Sequence, residues 1–219
     1  MYLDQLTVAL KNKYDTEMRD GIHVTDLTLC SRKSVFRKLQ PTALTMKELN
    51  FFTSGRAIHE AIQSLCDPDK FEIEKEVKYN GVTGHVDLYD IRNNIPIECK
   101  SMRVAKVENP KSFHVEQVKD YMAMLGSSTG VILYQCLMNF NDKPFVEFEV
   151  HMTQKEIDQR LADLGLRSRL HQKALDKKDA MLAPYVLKDP NMNWLCVNRN
   201  GTPNCPYYDK CKEADQNKT

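Results

Sequence analysis

Apolar residues alternate with polar ones through FEIEKEVKY, residues 71–79, and again beyond Asn80-Gly81 through VTGHVDLYDI. Such alternation marks half-buried strands, and Asn-Gly between two of them predicts a tight hairpin. RNN makes the next turn and IPIECKS a third strand. The period then lengthens. SFHVEQVKDYMAML reads as a helix, TGVILYQCLM as a buried strand and FVEFEVHM as its antiparallel partner. TQKEIDQRLADLGLRSRLHQKALDKK predicts a long charged helix, opened by Thr153 and Glu156 in a capping-box pattern. Ahead of the strands, KELNFFTSGRAIHEAIQSLC repeats Phe51, Gly55, Ile58, Ile62 and Leu65 at helical spacing. Residues 1–13 predict a short amphipathic helix. Thr25 is placed to cap a short helix ending near Cys30, and SRKSVFRKL continues as a basic helical piece. From Pro184 the periodicity fails. That Pro-, Asn- and Gly-rich tail with three cysteines predicts either disorder or attachment by something other than a core.

A chain of 219 residues suits a single domain, 1–219, with a real core. No apolar run approaches the roughly 20 residues that cross a bilayer. The opening MYLDQLTVALKNKYD has an early acid and no basic leader region, which points to the cytoplasm and away from membranes. Thirty-one basic and 30 acidic residues leave a net charge of +1, so any contact with nucleic acid must come from local patches. Seven cysteines is an odd number. In a reducing compartment they read as ligands or core residues, not as a disulfide set.

The third strand changes the picture. Along it, Glu98 and Lys100 share a face while Ile97 and Cys99 take the other. A hairpin centred between Arg92 and Asn93 sets Asp87 across from Glu98, at roughly 5 Å between Cβ atoms. Opposed carboxylates repel, but the arrangement is reasonable if a divalent cation lies between them. Magnesium is held in this way by one or two carboxylates against a phosphate. Lys100 on the same face could orient a water or neutralise developing charge. The alternative is an exposed hairpin face with scattered charges. His59, at the edge of the apolar stripe of its helix, could complete a metal sphere, and Gln117 and Tyr121, four apart, could reach the same place.

Gly-x-x-Asp, then Glu-x-Lys, a preceding helical His and a following Gln-x-x-x-Tyr together resemble the PD-(D/E)XK nuclease superfamily, RecB branch. Here the pieces are GRAIHE, GHVDLYD, IECKS and EQVKDY. The resemblance implies a restriction-endonuclease-like α/β core, a central mixed sheet flanked by helices, over about residues 46–152. It also implies metal-dependent DNA cleavage. By motif match, His59, Asp87, Glu98 and the Cys99 carbonyl would bind magnesium or manganese. Lys100 would be catalytic, and Gln117 and Tyr121 would support the metal site and the phosphate.

Cys30 stands early; Cys196, Cys205 and Cys211 stand in the tail. Four thiolates can hold one iron–sulfur cluster or one zinc. Cys66, Cys99 and Cys136 lie in apolar settings and read as buried thiols. One early and three late cysteines, flanked as LTLCSRKSVF and CPYYDKC, resemble the RecB-like nucleases stapled by an iron–sulfur cluster, and over nearly the full length the CRISPR-associated Cas-four family. The gap between Cys196 and Cys205 is longer than that family's, and Ser31 stands where it usually has proline. The resemblance implies a cluster module of residues 20–40 and 184–219, with 4Fe–4S ahead of 2Fe–2S and zinc left open.

Arg32, Lys33, Arg37 and Lys38 form one basic stretch; Arg103 and Lys106, after Lys100, begin a second. Beside a metal site they could track a phosphate backbone, or they could be a solvated surface. The expected function is a metal-dependent nuclease acting on single-stranded DNA or frayed ends. By resemblance it would trim spacer precursors with the CRISPR integrase and its small partner. The alternatives are a replication, repair or viral recombination nuclease, and a non-enzymatic DNA-binding or scaffolding subunit. Self-association is left open.

Overall fold

The computed structural model describes residues 2–15, 20–140, 143–186 and 189–216. Its elements run α1 (Tyr2–Asp15), β1 (Ile22–His23), α2 (Val24–Thr28), α3 (Ser31–Leu39), α4 (Met46–Gln63), β2 (Phe71–Tyr79), β3 (Val82–Asp90), β4 (Ile95–Met102), α5 (Ser112–Leu125), β5 (Thr129–Cys136), β6 (Phe145–His151), α6 (Gln154–Asp176) and α7 (Tyr208–Gln216). The six strands form one mixed sheet in the order β1-β3-β4-β5-β6, with β2 paired to the other edge of β3. Helices flank it, so the chain is mixed α/β with a central mixed sheet, consistent with the architecture that the sequence resemblance implies.

The turns follow from their residues. Asn80 and Gly81 both take positive φ, 45° and 77°, as a two-residue hairpin requires. At the next turn the Asp90 carboxylate accepts the N–H groups of Arg92 and Asn93, each at 3.0 Å. The hairpin register is the expected one, Leu88 facing Ile97. The capping box opens α6 at Thr153 and Glu156, and a second opens α4 at Thr45 and Glu48.

Both faces of the sheet are buried. Ile132, Tyr134, Cys136, Val118 and Met122 form the largest apolar cluster, with Ile157 of α6. Val77, Val82, Val86, Tyr121 and Leu164 form a second. Ile62 and Ile58 of α4 pack on Leu88, Ile97, Cys99 and Leu133. The predicted stripe of α4 holds only in its middle. Phe51 is 52 % exposed, and Leu65, beyond the helix end at Gln63, is 84 % exposed.

The tail departs from expectation. It carries α7 and an isolated bridge between Val197 and Pro203. It also has a core of its own, where Cys205 and Tyr207 pack with Val35 and Phe36 of α3 and with Ala174, Ala180 and Ala183. The Phe36 and Tyr207 rings stack at 4.8 Å, and the Tyr207 hydroxyl donates to the Gln40 carbonyl at 2.8 Å. These apolar residues come from distant segments, so no local period announces them. The two-residue β1 is likewise too short for any periodic signal.

Candidate active site

Strand β3 is interrupted at Asp87. On one edge it pairs with β1 at Val82 and Thr83, then with β4 only from Leu88 to Asp90, leaving residues 84–87 without a ladder partner on that side. On the other edge, β2 pairs on both sides of the position but not at it: Ile73 faces Leu88 and Lys75 faces Val86. Val86 joins the cluster with Tyr121, whereas Leu88 joins the one beneath α4. Residues two apart share a face in a regular strand, so the alternation breaks here. The expected rung between Asp87 and Glu98 therefore does not form. Instead Asp87 Oδ2 accepts the Cys99 N–H at 2.7 Å, a side chain taking the place of a ladder bond. Asp87 Oδ1 lies 3.6 Å from His59 Nδ1.

Glu98 is 1 % exposed, and its Oε2 has no hydrogen-bond partner. Burial, then repulsion from Asp87, hold its carboxyl well above the usual carboxylate range, with a smaller push from Glu74. Lys100 Nζ sits on Glu98 Oε1 in a short ion pair. Burial would discharge that amine, but Glu98 and Asp87 outweigh it and hold the ammonium above its ordinary value. In the parallel ladder Lys100 faces Tyr134, whose hydroxyl accepts from the Lys111 N–H at 3.0 Å and lies 2.7 Å from His114 Nδ1. Burial, with Lys100 and Lys111 nearby, pushes His114 down to about 3, so Lys100 has a neutral imidazole as neighbour.

From α5, Gln117 Nε2 donates to the Tyr121 hydroxyl at 3.1 Å. Burial and then Glu98 push the Tyr121 phenol well up, keeping its O–H intact. Tyr121 can lie this close because residue 84 is glycine. A Cβ there would stand 2.7 Å from Tyr121 Cε1 and 3.0 Å from Val24 and Val77 methyl carbons. Gly84→Ala is therefore expected to cost about 1–3 kcal/mol in urea unfolding, with the Tyr121 ring displaced.

His59 thus lies beside Asp87, and Lys100 beside Glu98; a donor set of two carboxylates and an imidazole suits a hard divalent cation. The unpartnered Glu98 oxygen is the buried atom such an ion would satisfy. Among the described residues, however, no three His, Cys, Asp or Glu side chains converge closely enough to share one ion as they stand. Cys99 has its side chain buried beneath α4, where burial holds its thiol up.

Cys30, Cys196 and Cys205 are buried and Cys211 partly so, all as free thiols. They lie within electrostatic reach of one another: burial, then Cys30, Cys205 and Cys211, push the Cys196 thiol up to about 11. Cys205 accepts the Tyr207 N–H, and Cys211 a bond from Arg32. Four thiols have the donor chemistry that zinc or an iron–sulfur cluster takes, but among the described residues they do not converge closely enough to share one metal ion as they stand.

Arg32 corrects the first basic stretch. It is 5 % exposed and donates to the Ala183 carbonyl at 3.2 Å and the Met181 carbonyl at 3.0 Å, with the Tyr185 ring 4.0 Å below its guanidinium. It ties α3 to the segment after α6 and is not available to a phosphate. Lys38 is bound to the Gly21 carbonyl and to Asp26. Lys33 and Arg37 remain half-exposed near Glu48. Arg103 and Lys106 are exposed, Arg103 over the Phe51 ring at 5.3 Å and Lys106 3.7 Å from Glu108. Of the aromatics near the cysteines, Trp194 leans on Phe113 of α5 at 5.3 Å.

Sequence reasoning missed Asp120. Fully buried on α5, it accepts from Arg160 Nε at 2.7 Å, Arg167 Nη2 at 2.6 Å and Thr28 Oγ1 at 3.0 Å. The available signal was an acid on a mostly apolar helix face, with two arginines seven apart on α6.

No family model and no curated protein matches the chain. Among solved structures it is similar to the crystal structure of SSO0001, at 21 % identity and a TM-score of 0.52, over 76 % of this chain and 86 % of that one. It is also similar to a phage-related exonuclease from Haemophilus somnus 129PT, at 10 % identity and a TM-score of 0.43, over 71 % and 83 %. A third is the alkaline exonuclease LHK-Exo from Laribacter hongkongensis, at 13 % identity and a TM-score of 0.46, over 74 % and 94 %. At these identities the likeness is one of fold. Among the described residues, no helix is long and apolar enough to cross a membrane.

Proposed function

We propose that this chain is a divalent-metal-dependent DNA nuclease. The observation that carries the reading is the interrupted strand at Asp87. There the Asp87 carboxylate takes the Cys99 N–H and faces the His59 ring, while on the neighbouring strand the buried Glu98, with one unpartnered oxygen, is paired to the Lys100 ammonium. A purely structural sheet gains nothing from such a cluster, because buried like charges destabilise it.

Asp87, Glu98 and His59 would hold magnesium or manganese, which polarises a phosphodiester and acidifies a bound water. Lys100, kept charged, serves as an electrostatic donor to the phosphate rather than as a base. Tyr121, kept protonated and oriented by Gln117, offers an O–H to the same space. Cys30, Cys196, Cys205 and Cys211 would hold an iron–sulfur cluster, or zinc, clipping α3 to the tail. The sequence resemblance favours single-stranded DNA or frayed ends and the trimming of spacer precursors in CRISPR adaptation. It is shared by recombination and repair nucleases.

The test is digestion of end-labelled single-stranded DNA with magnesium or manganese against chelator. Metal-dependent cleavage is expected, with Lys100→Ala lowering the single-turnover rate about a hundred-fold while DNA affinity in calcium is little changed. No cleavage by wild type in either metal refutes the reading. Metal analysis of anaerobically prepared protein separates iron and sulfide from zinc.

A further inference from the structure

Gln63 lies one helical turn beyond His59 on α4, so the two side chains leave the helix on one face. Both grip Asp87. The His59 ring faces its carboxylate, and Gln63 Nε2 donates to its main-chain carbonyl at 3.2 Å. The same nitrogen donates to Glu74 Oε1 at 2.8 Å. An amide nitrogen carries two N–H bonds, and both are used; the amide oxygen could serve neither acceptor. By count along the β2–β3 ladder, Glu74 falls opposite Asp87, at the rung that is missing. Glu74 has φ 51°, a left-handed conformation inside a strand. A residue other than glycine rarely holds this conformation, and it persists where surrounding contacts over-determine it. The pairs on either side keep the same register, so no residue has been inserted; the strand is locally turned at this one position.

We infer that Gln63 and Glu74 are positioning residues for Asp87: the Glu74-anchored amide replaces the lost rung and holds the Asp87 main chain so that its carboxylate stays aimed between Glu98 and His59. Without that bond the Asp87 carbonyl has neither ladder nor clamp on this side, and the carboxylate can follow the strand back into ordinary pairing. This inference rests on the nuclease reading for its catalytic readout but not for its metal readout.

The experiment compares wild type with Gln63→Glu, Glu74→Gln and the exchanged pair Gln63→Glu/Glu74→Gln. It measures single-turnover cleavage across a manganese titration, the KM for DNA, and direct manganese binding to the DNA-free protein. Gln63→Glu keeps size and removes both donors. It is expected to weaken manganese binding and lower kcat by about 10- to 100-fold, with the KM for DNA unchanged. Glu74→Gln keeps an acceptor oxygen and should stay close to wild type. The exchanged pair restores a bond between residues 63 and 74 but offers no donor to Asp87, so it should remain as impaired as Gln63→Glu. Wild-type manganese affinity in Gln63→Glu overturns the inference. Rescue by the exchanged pair overturns it too, since that outcome makes the contact a mere clamp between α4 and β2. If wild type itself fails to cleave, the nuclease reading falls, and the manganese titration still decides this point.

Discussion

Asp87→Ala and Glu98→Ala are each expected to lower metal-supported DNA cleavage on the order of a thousand-fold while leaving the fold intact. Glu98 sits where charge is costly, and its Oε2 has nothing to bond within the chain. The apo protein should therefore be limited by this group, not stabilised by it. The sign follows from the Glu98 carboxyl. Its ordinary value is 4.5, and burial, followed by Asp87, raises it to about 8 in the folded chain. Between those values the folded state holds a proton that the unfolded state releases, so this group's contribution is full below 4.5 and is lost as pH rises toward 8. Urea unfolding in chelator should show wild type losing stability across that window relative to Glu98→Gln, which has no such proton to lose. Cleavage near the wild-type rate in either alanine variant, or parallel pH slopes for wild type and Glu98→Gln, would contradict this account.

Asp120→Ala is expected to cost about 3–5 kcal/mol in urea unfolding, the largest stability loss of any single substitution considered. The carboxylate is fully buried and joins α5 to Arg160 and Arg167 of α6 and to Thr28 of α2. Removing it leaves two arginines partly buried around a space that no water-filled surface replaces. Arg160 keeps Glu116 as a second partner, whereas Arg167 keeps the more exposed Asp163. Asp120→Asn retains the acceptor toward Thr28 and should fall between wild type and Asp120→Ala. A loss below 1 kcal/mol in Asp120→Ala would mean that the three helices are held by apolar packing alone.

Strands β2 to β4 were legible because alternation and Asn80-Gly81 are local signals, and the hairpin centre at Arg92 and Asn93 fixed the register that Leu88 and Ile97 adopt. The same arithmetic failed at the residue that matters. It placed Asp87 on a rung with Glu98, where the carboxylate instead takes the Cys99 N–H. Periodicity carries no term for a side chain competing with its own backbone. Gln63 and Glu74 carry no local signal in the sequence, because their role appears only when α4 crosses the sheet. Arg32 was misread for a related reason. A run of basic residues looks solvated until the carbonyls of Met181 and Ala183 arrive beneath one of them.

The contacts that bury α3 have a consequence for how the chain is made. Arg32 meets carbonyls 149 and 151 residues further along, and the Tyr207 hydroxyl meets Gln40 across 167. Synthesis proceeds from the amino end, so Val35 and Phe36 emerge from the ribosome long before their partners exist. The sheet can close while α3 is still waiting with its apolar side uncovered. Loops of this length make such closure slow, which leaves that side open to holdase chaperones for the interval. A stalled nascent chain ending near residue 180 should thus present a finished sheet beside an unfinished N-terminal segment, and it is there that capture or aggregation would begin.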